Sequence, residues 1–170
     1  TNPYGASVGD LNGDGKPDIV TANWTSGTVS VILNNGNGTF ATRSDYTTGT
    51  NPIATYLTDV NGDGKLDILV ANYNSNTFSV LMNNGNGTFA SKVDYVTDTN
   101  PQGITAGDYN QDGIVDVVVS NAASNTLSVF IGNGTLGTAT AGFSQATISF
   151  KNPGDTDLNT IIALVSTTTI

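Results

Sequence analysis

The chain is 170 residues long, the size of one domain or of a few small repeated units, and only 11% of it is charged, against roughly 25% in a typical soluble domain. Thr (26), Asn (21), Gly (20) and Ser (13) fill 80 positions, Cys, His and Glu are absent, and all 14 acidic residues are Asp, for a net charge of −9. That composition excludes disulfides, thiolate or imidazole catalysis and Cys- or His-held metals, and the acidic balance argues against a nucleic-acid partner, which needs clustered Lys and Arg.

The longest apolar runs, such as Ile161 to Val165, fall far short of the ~20 residues of a membrane span. No basic-then-apolar leader opens the chain, as expected of a mature form or an excised piece. The sequence repeats itself every 49 residues: TNP recurs at Thr1, Thr50 and Thr99, and an Asp-rich stretch at Asp10, Asp59 and Asp108. The units are 1–49, 50–98 and 99–147, followed by a segment 148–170 that reads as a decayed fourth start. Terminal units of repeat arrays are often atypical because they cap the stack.

Each unit reads as four strands. The first runs from Gly5 to Gly9, with equivalents at 54–58 and 103–107. An Asp-rich loop follows. The second strand is DIVTAN, DILVAN or DVVVSN, and the third is TVSVIL, TFSVLM or TLSVFI. An Asn/Gly turn, NNGNG in the first two units, then leads to a fourth strand near Arg43–Thr47 and Lys92–Thr97; Asn and Gly suit such turns because both tolerate positive φ. In unit three the pattern drifts after Thr135. Strands two and three are apolar almost without alternation (Ile68, Leu69, Val70; Val117, Val118, Val119), which suits strands covered on both faces. A lone sheet cannot cover both its faces, but sheets stacked as propeller blades can. No segment carries a sustained period of 3.6, so almost no helix is expected. The predicted class is all-β: three tandem four-stranded antiparallel propeller-type blades with a C-terminal β tail, an incomplete propeller.

The loops read DLNGDGKPD, DVNGDGKLD and DYNQDGIVD. Side-chain oxygens stand at positions 1, 3, 5 and 9, and Gly at position 6 permits the sharp turn. Ca²⁺ takes six to eight oxygen ligands, and alternate residues of a tight loop can all point inward. The candidate ligands are Asp10, Asn12, Asp14 and Asp18; Asp59, Asn61, Asp63 and Asp67; and Asp108, Asn110, Asp112 and Asp116. Lys16, Lys65 and Ile114, at position 7, would contribute backbone carbonyls, which leaves their side chains free to vary. An EF-hand would need a Glu at position 12, but Thr21, Val70 and Val119 stand there. Asp, Asn and Gly are common loop residues, but three copies in register favour a metal over a bland turn. The expected cofactor is Ca²⁺ at three sites, with metal binding linked to folding.

The pattern D-x-N-x-D-G-x-x-D, followed by a DI[VL]VAN-like strand and SVLxNNGNGTF, resembles the FG-GAP or VCBS-type repeat over residues 1 to about 135. The resemblance implies blades of an integrin-α-like β-propeller, with calcium in the loop joining the first two strands. It also implies an extracellular protein, adhesive, structural or accessory to a secreted enzyme. Such propellers close with about seven blades, so three would leave the ring open.

Other candidates are weaker. Trp24 and Tyr73 hold equivalent positions after strand two, where exposed aromatics could stack on sugar rings; packing at the blade edge is the favoured reading. Asn23, Asn37, Asn86 and Asn133 match the N-glycosylation acceptor pattern, which arises by chance in a chain this rich in Asn and Thr. Paired Asp residues acting as acid and base, as in glycosidases, are disfavoured because repetition and Gly spacing already explain them as ligands. The expectation is therefore a non-enzyme: a secreted or cell-surface, calcium-stabilised, structural or adhesive β-repeat protein that self-associates or joins further repeats. The segment 148–170 would lie at a subunit junction. The alternative is a carbohydrate-binding module or propeller fragment of a larger secreted enzyme, with a glycan or cell-surface protein as ligand.

Overall fold

The structure is a computed structural model that describes residues 2–133, 143–149 and 164–165. Its described residues form thirteen strands and no helix. Blade 1 comprises β1 (Pro3–Gly9), β2 (Asp18–Asn23), β3 (Thr28–Ile32) and β4 (Ser44–Thr47), paired antiparallel in chain order. Blade 2 repeats this with β5 (Pro52–Thr58), β6 (Asp67–Asn72), β7 (Thr77–Leu81) and β8 (Val93–Val96). Blade 3 comprises β9 (Pro101–Gly107), β10 (Asp116–Asn121), β11 (Thr126–Gly132) and β12 (Phe143–Ser149), and it gains a fifth strand, β13 (Leu164–Val165).

The first strand of each blade starts two residues before the expected Gly5 and its equivalents. Pro3, Pro52 and Pro101 are tolerated there because they open the strand, where the missing N–H is not needed, and a bulge separates Pro3 and Pro52 from the regular ladder. In blade 3, β12 pairs with β11 from Phe143↔Gly132 to Ser149↔Thr126, so the fourth strand runs through the expected boundary between 147 and 148. The third sheet is thus five-stranded, not four-stranded. Leu164 and Val165 pair with Thr147 and Ala146 of the chain's own third blade. The remainder of the expected junction segment lies outside the described residues.

The blades stack, with β5 against β1 and β2 and β9 against β5 and β6. Strands bearing β-branched and aromatic residues on both faces can be covered only in this way, and all six residues of β6 are buried. Between blades 1 and 2 the core gathers Leu11, Val20, Val29 and Val31 from one side and Ile68, Val70, Leu81 and Phe89 from the other. Between blades 2 and 3, Val60, Leu69, Phe78 and Val80 meet Val117, Val119 and Phe130. Phe78 stacks on Tyr95 at 5.0 Å and meets Phe130 edge-on at 4.8 Å. The Asp-rich loops all join the first and second strands, which sets them at the same end of each blade.

Candidate metal centre

Each loop is built by carboxylates and an amide that accept hydrogen bonds from its own backbone. In blade 1 Asp10 Oδ1 accepts from the N–H groups of Gly13 (2.8 Å) and Asp14 (3.2 Å), and Oδ2 from that of Gly15 (2.8 Å). Asp59 repeats all three bonds with Gly62, Asp63 and Gly64, and Asp108 repeats two, with Asp112 and Gly113. At position 3, Asn12, Asn61 and Asn110 each accept the N–H two residues on, at 3.0, 3.0 and 3.1 Å. These Asx-type bonds wind the chain tightly around the first Asp. The position 6 glycines permit it, with φ of 78° at Gly15, 82° at Gly64 and 84° at Gly113.

Position 9 has a different role. Asp18, Asp67 and Asp116 are fully buried. Asp18 accepts the N–H of Leu11 at 2.9 Å and of Asn34 at 2.8 Å; Asp67 accepts from Val60 and Asn83; Asp116 accepts from Tyr109 and Gly132. Each therefore clamps its loop to the chain leaving the third strand. Sequence reading assigned these residues to metal alone and missed the clamp, because its second partner lies 16 residues away with no spacing signal.

At position 7, where the sequence points only to a backbone carbonyl and a side chain free to vary, the first two loops give the side chain a role. In the structure the ammonium groups of Lys16 and Lys65 pair with Asp14 at 2.9 Å and Asp63 at 3.1 Å. The stem of Lys16 lies over Gly36 of the NNGNG turn, where a Cβ would come within 2.5 Å of it, and Lys65 lies over Gly85 in the same way.

The charge balance of the loops follows from this geometry. The Gly15 N–H, with those of Gly13, Asn12 and Asp14, holds the Asp10 carboxyl below its ordinary value against a smaller opposing effect of burial. The Lys16 ammonium does the same for Asp14. Burial pushes Asp63 up, but Lys65, through its bonds and charge, and the bond from Asn61 together outweigh that and leave it low. Asp67 is raised to about 6, first by burial and further by the charges of Asp63 and Asp59, against the opposing bonds from Asn83 and Val60. Asp63 and Asp59 therefore act on Asp67 as like charges in one loop.

Three carboxylates and one amide oxygen per loop are the donor set of a hard cation, and the mutual repulsion at Asp67 is what such a cation would relieve. The residues fit calcium in this chemical sense. Among the described residues no three acidic side chains already converge as a metal cage: the loop oxygens are occupied by backbone N–H groups and, in the first two loops, by lysine.

The other candidates separate. Trp24 stands between Tyr4, 5.1 Å away, and Tyr73, 5.4 Å away, forming a row of three rings at the blade end opposite the loops; Tyr4, which sequence reading passed over, is the exposed member at 57%. Ala122 holds the equivalent place in blade 3. Asn23 is 2% exposed and donates to Thr28 and Ser30, so the folded chain presents no free amide there; Asn72 and Asn121 make the same bonds without an acceptor pattern. Asn37 and Asn86 are exposed, and their carbonyls accept from Thr39 and Thr88. Asn133 is exposed at the edge of the described residues.

Comparison with known proteins agrees with the blades. The model of the FG-GAP-like repeat matches residues 10–70 and 59–119. Among solved structures, a lectin from Agrocybe aegerita that recognises non-reducing terminal N-acetylglucosamine is similar at a TM-score of 0.53 and 22% identity, over 81% of this chain and 37% of that one. A search of curated protein sequences finds no match. Among the described residues no helix is long and apolar enough to cross a membrane.

Proposed function

The chain belongs to the FG-GAP-like repeat family, and from that premise we propose that it is an extracellular, calcium-stabilised β-repeat protein with a structural or adhesive role, without catalysis, that associates with further copies. The observation that carries the calcium reading is the threefold recurrence of one donor set in one backbone geometry: a carboxylate at position 1 wrapped by the N–H groups that follow it, with an amide and two further carboxylates at positions 3, 5 and 9. Asp10, Asn12, Asp14 and Asp18 and their equivalents would hold the ion, with the position 7 carbonyls of Lys16, Lys65 and Ile114. Calcium would supply charge neutralisation and cross-link each loop to the start of its second strand. In doing so it would displace Lys16 and Lys65 from their carboxylates.

Titration calorimetry on the full chain tests this: three ions should bind to the wild type and two to Asp63→Ala. Fewer than three in the wild type, or an unchanged number in the variant, would refute the assignment.

A second reading, carbohydrate binding, rests on the row of Tyr4, Trp24 and Tyr73. Flat aromatic faces partly open to solvent suit the apolar faces of sugar rings, and the fold is shared with a lectin. This reading also covers a binding module of a larger secreted enzyme. Binding on a glycan array that disappears in Trp24→Ala would support it; an array without signal would remove it.

A further inference from the structure

The 49-residue period lets the burial of one position be compared across three blades. One face of each blade, here the rear, is built at the positions of Leu11, Val20, Val29 and Val31. In blade 1 these pack on blade 2, and in blade 2 their equivalents Val60, Leu69, Phe78 and Val80 pack on blade 3. In blade 3 the same positions are Tyr109, Val118, Leu127 and Val129. Tyr109 is 52% exposed where Leu11 is 1% and Val60 6%, and the other three are only half-buried.

The opposite, front face is built at Leu57, Ile68, Leu81 and Phe89 in blade 2, all packed on blade 1. In blade 1 the same positions are Val8, Ile19, Ile32 and Phe40. Val8 is 64% exposed and Phe40 48%, against 7% for Phe89. No charged residue stands at any of these eight end positions.

The described residues thus present the two halves of an interface that the fold builds twice internally, one half at each end of the stack. We propose that a second copy of this chain completes it, the rear of blade 3 of one copy packing on the front of blade 1 of the next in the register of the internal interfaces. The proposal rests on the self-association reading above and names its surface.

Pairing through the outer strand edges is the weaker route. Beside β4 and β8 stand the ion pairs Arg43–Asp45 and Lys92–Asp94, and edge charges discourage strand addition. The described parts of the C-terminal segment are engaged in their own sheet. Contact between unlike faces is heterologous: it gives a ring where the rotation per copy closes and a filament where it does not.

Val8→Lys blocks the front and Leu127→Lys the rear, and neither residue is a proposed loop ligand. In sedimentation velocity with calcium, the wild type should associate increasingly with concentration, and each variant alone should stay at the 17.4 kDa monomer mass. An equimolar mixture of the two should form a species of about twice that mass and nothing larger, because one intact front and one intact rear remain. Phe40→Lys on the front and Val129→Lys on the rear repeat the test should either first variant melt early. A wild type that is monomeric at every concentration overturns both the proposal and the self-association reading. Association that the variants leave unchanged, or a mixture that stays monomeric while the wild type assembles, overturns the face assignment alone. Neither substitution should alter the number of calcium ions bound, so the calcium reading fails or stands separately.

Discussion

Gln111 occupies the fourth position of its loop, where the first two loops carry Gly13 and Gly62, and it keeps their left-handed backbone with φ 63°. Among the described residues the other non-glycine residues with positive φ are all Asn, whose short side chain tolerates that region; Gln carries the full Cβ penalty. Gln111→Gly should therefore stabilise the chain by about 1 kcal/mol, seen as a shift of the denaturant midpoint at unchanged slope. No change, or a loss, would mean that the third loop relies on the glutamine side chain.

Asp67 sets a second expectation at this scale. Its folded pKa of about 6 lies above the ordinary value of 3.8, so the folded state binds the proton more tightly. Its contribution to stability is then greatest below 3.8 and declines as pH rises through about 6. Asp10, Asp14 and Asp63, all held low, act oppositely and lose their stabilisation only as pH falls below 3.8. In EDTA the melting temperature should rise as pH falls from 7 toward 5, and Asp67→Asn should remove most of that rise. A flat profile in the wild type would contradict the burial assigned to Asp67.

Among the elements, the NNGNG turn of blade 2 joins that blade to blade 1. Asn83 in blade 2 donates its amide to Leu11 O at 3.0 Å, and Gly87 N–H donates to the same carbonyl at 3.1 Å, so the turn of blade 2 sits on the Asp-rich loop of blade 1. Asn83→Ala leaves that buried carbonyl with one partner fewer and should cost about 1–3 kcal/mol in thermal or chemical unfolding. Phe78→Ala, which opens the packed centre between blades 2 and 3, should cost about 3–5 kcal/mol; a loss under 1 kcal/mol in either would contradict the packing described. Much of this scale was legible in the sequence. Strands two and three announce themselves through unbroken Val, Ile and Leu, because both faces are buried, and the loops announce themselves through Asp at fixed spacing in three copies. The turn-to-loop bonds were not legible, since Asn83 and Leu11 lie 72 residues apart. Nor was the fourth strand of blade 3: β12, FSQATIS, shares little with SDYT or VDYV. The lysines over Gly36 and Gly85 were hidden for another reason: position 7 looked variable because Ile114 replaces lysine in the one loop whose turn has drifted.

For the whole molecule, nine of 14 acidic residues sit in three loops, one at the same end of each blade, in a chain with five basic residues. Three divalent ions would carry six positive charges and bring the net charge from −9 to −3. Repulsion that the fold now offsets with two lysines and many backbone N–H groups would be offset by metal at all three loops, including the third, which has Ile114 in place of lysine. Because the proposed ligands of each loop are brought near one another only when the first two strands of a blade are paired, calcium binding would share one free energy with folding. Thermal unfolding of the full chain in saturating calcium against the same buffer with EDTA tests this most directly. Each occupied site should add about 2.7 kcal/mol at a hundredfold excess over its Kd, so the midpoint should be markedly higher in calcium and climb with the logarithm of its concentration. A midpoint indifferent to calcium would contradict the account.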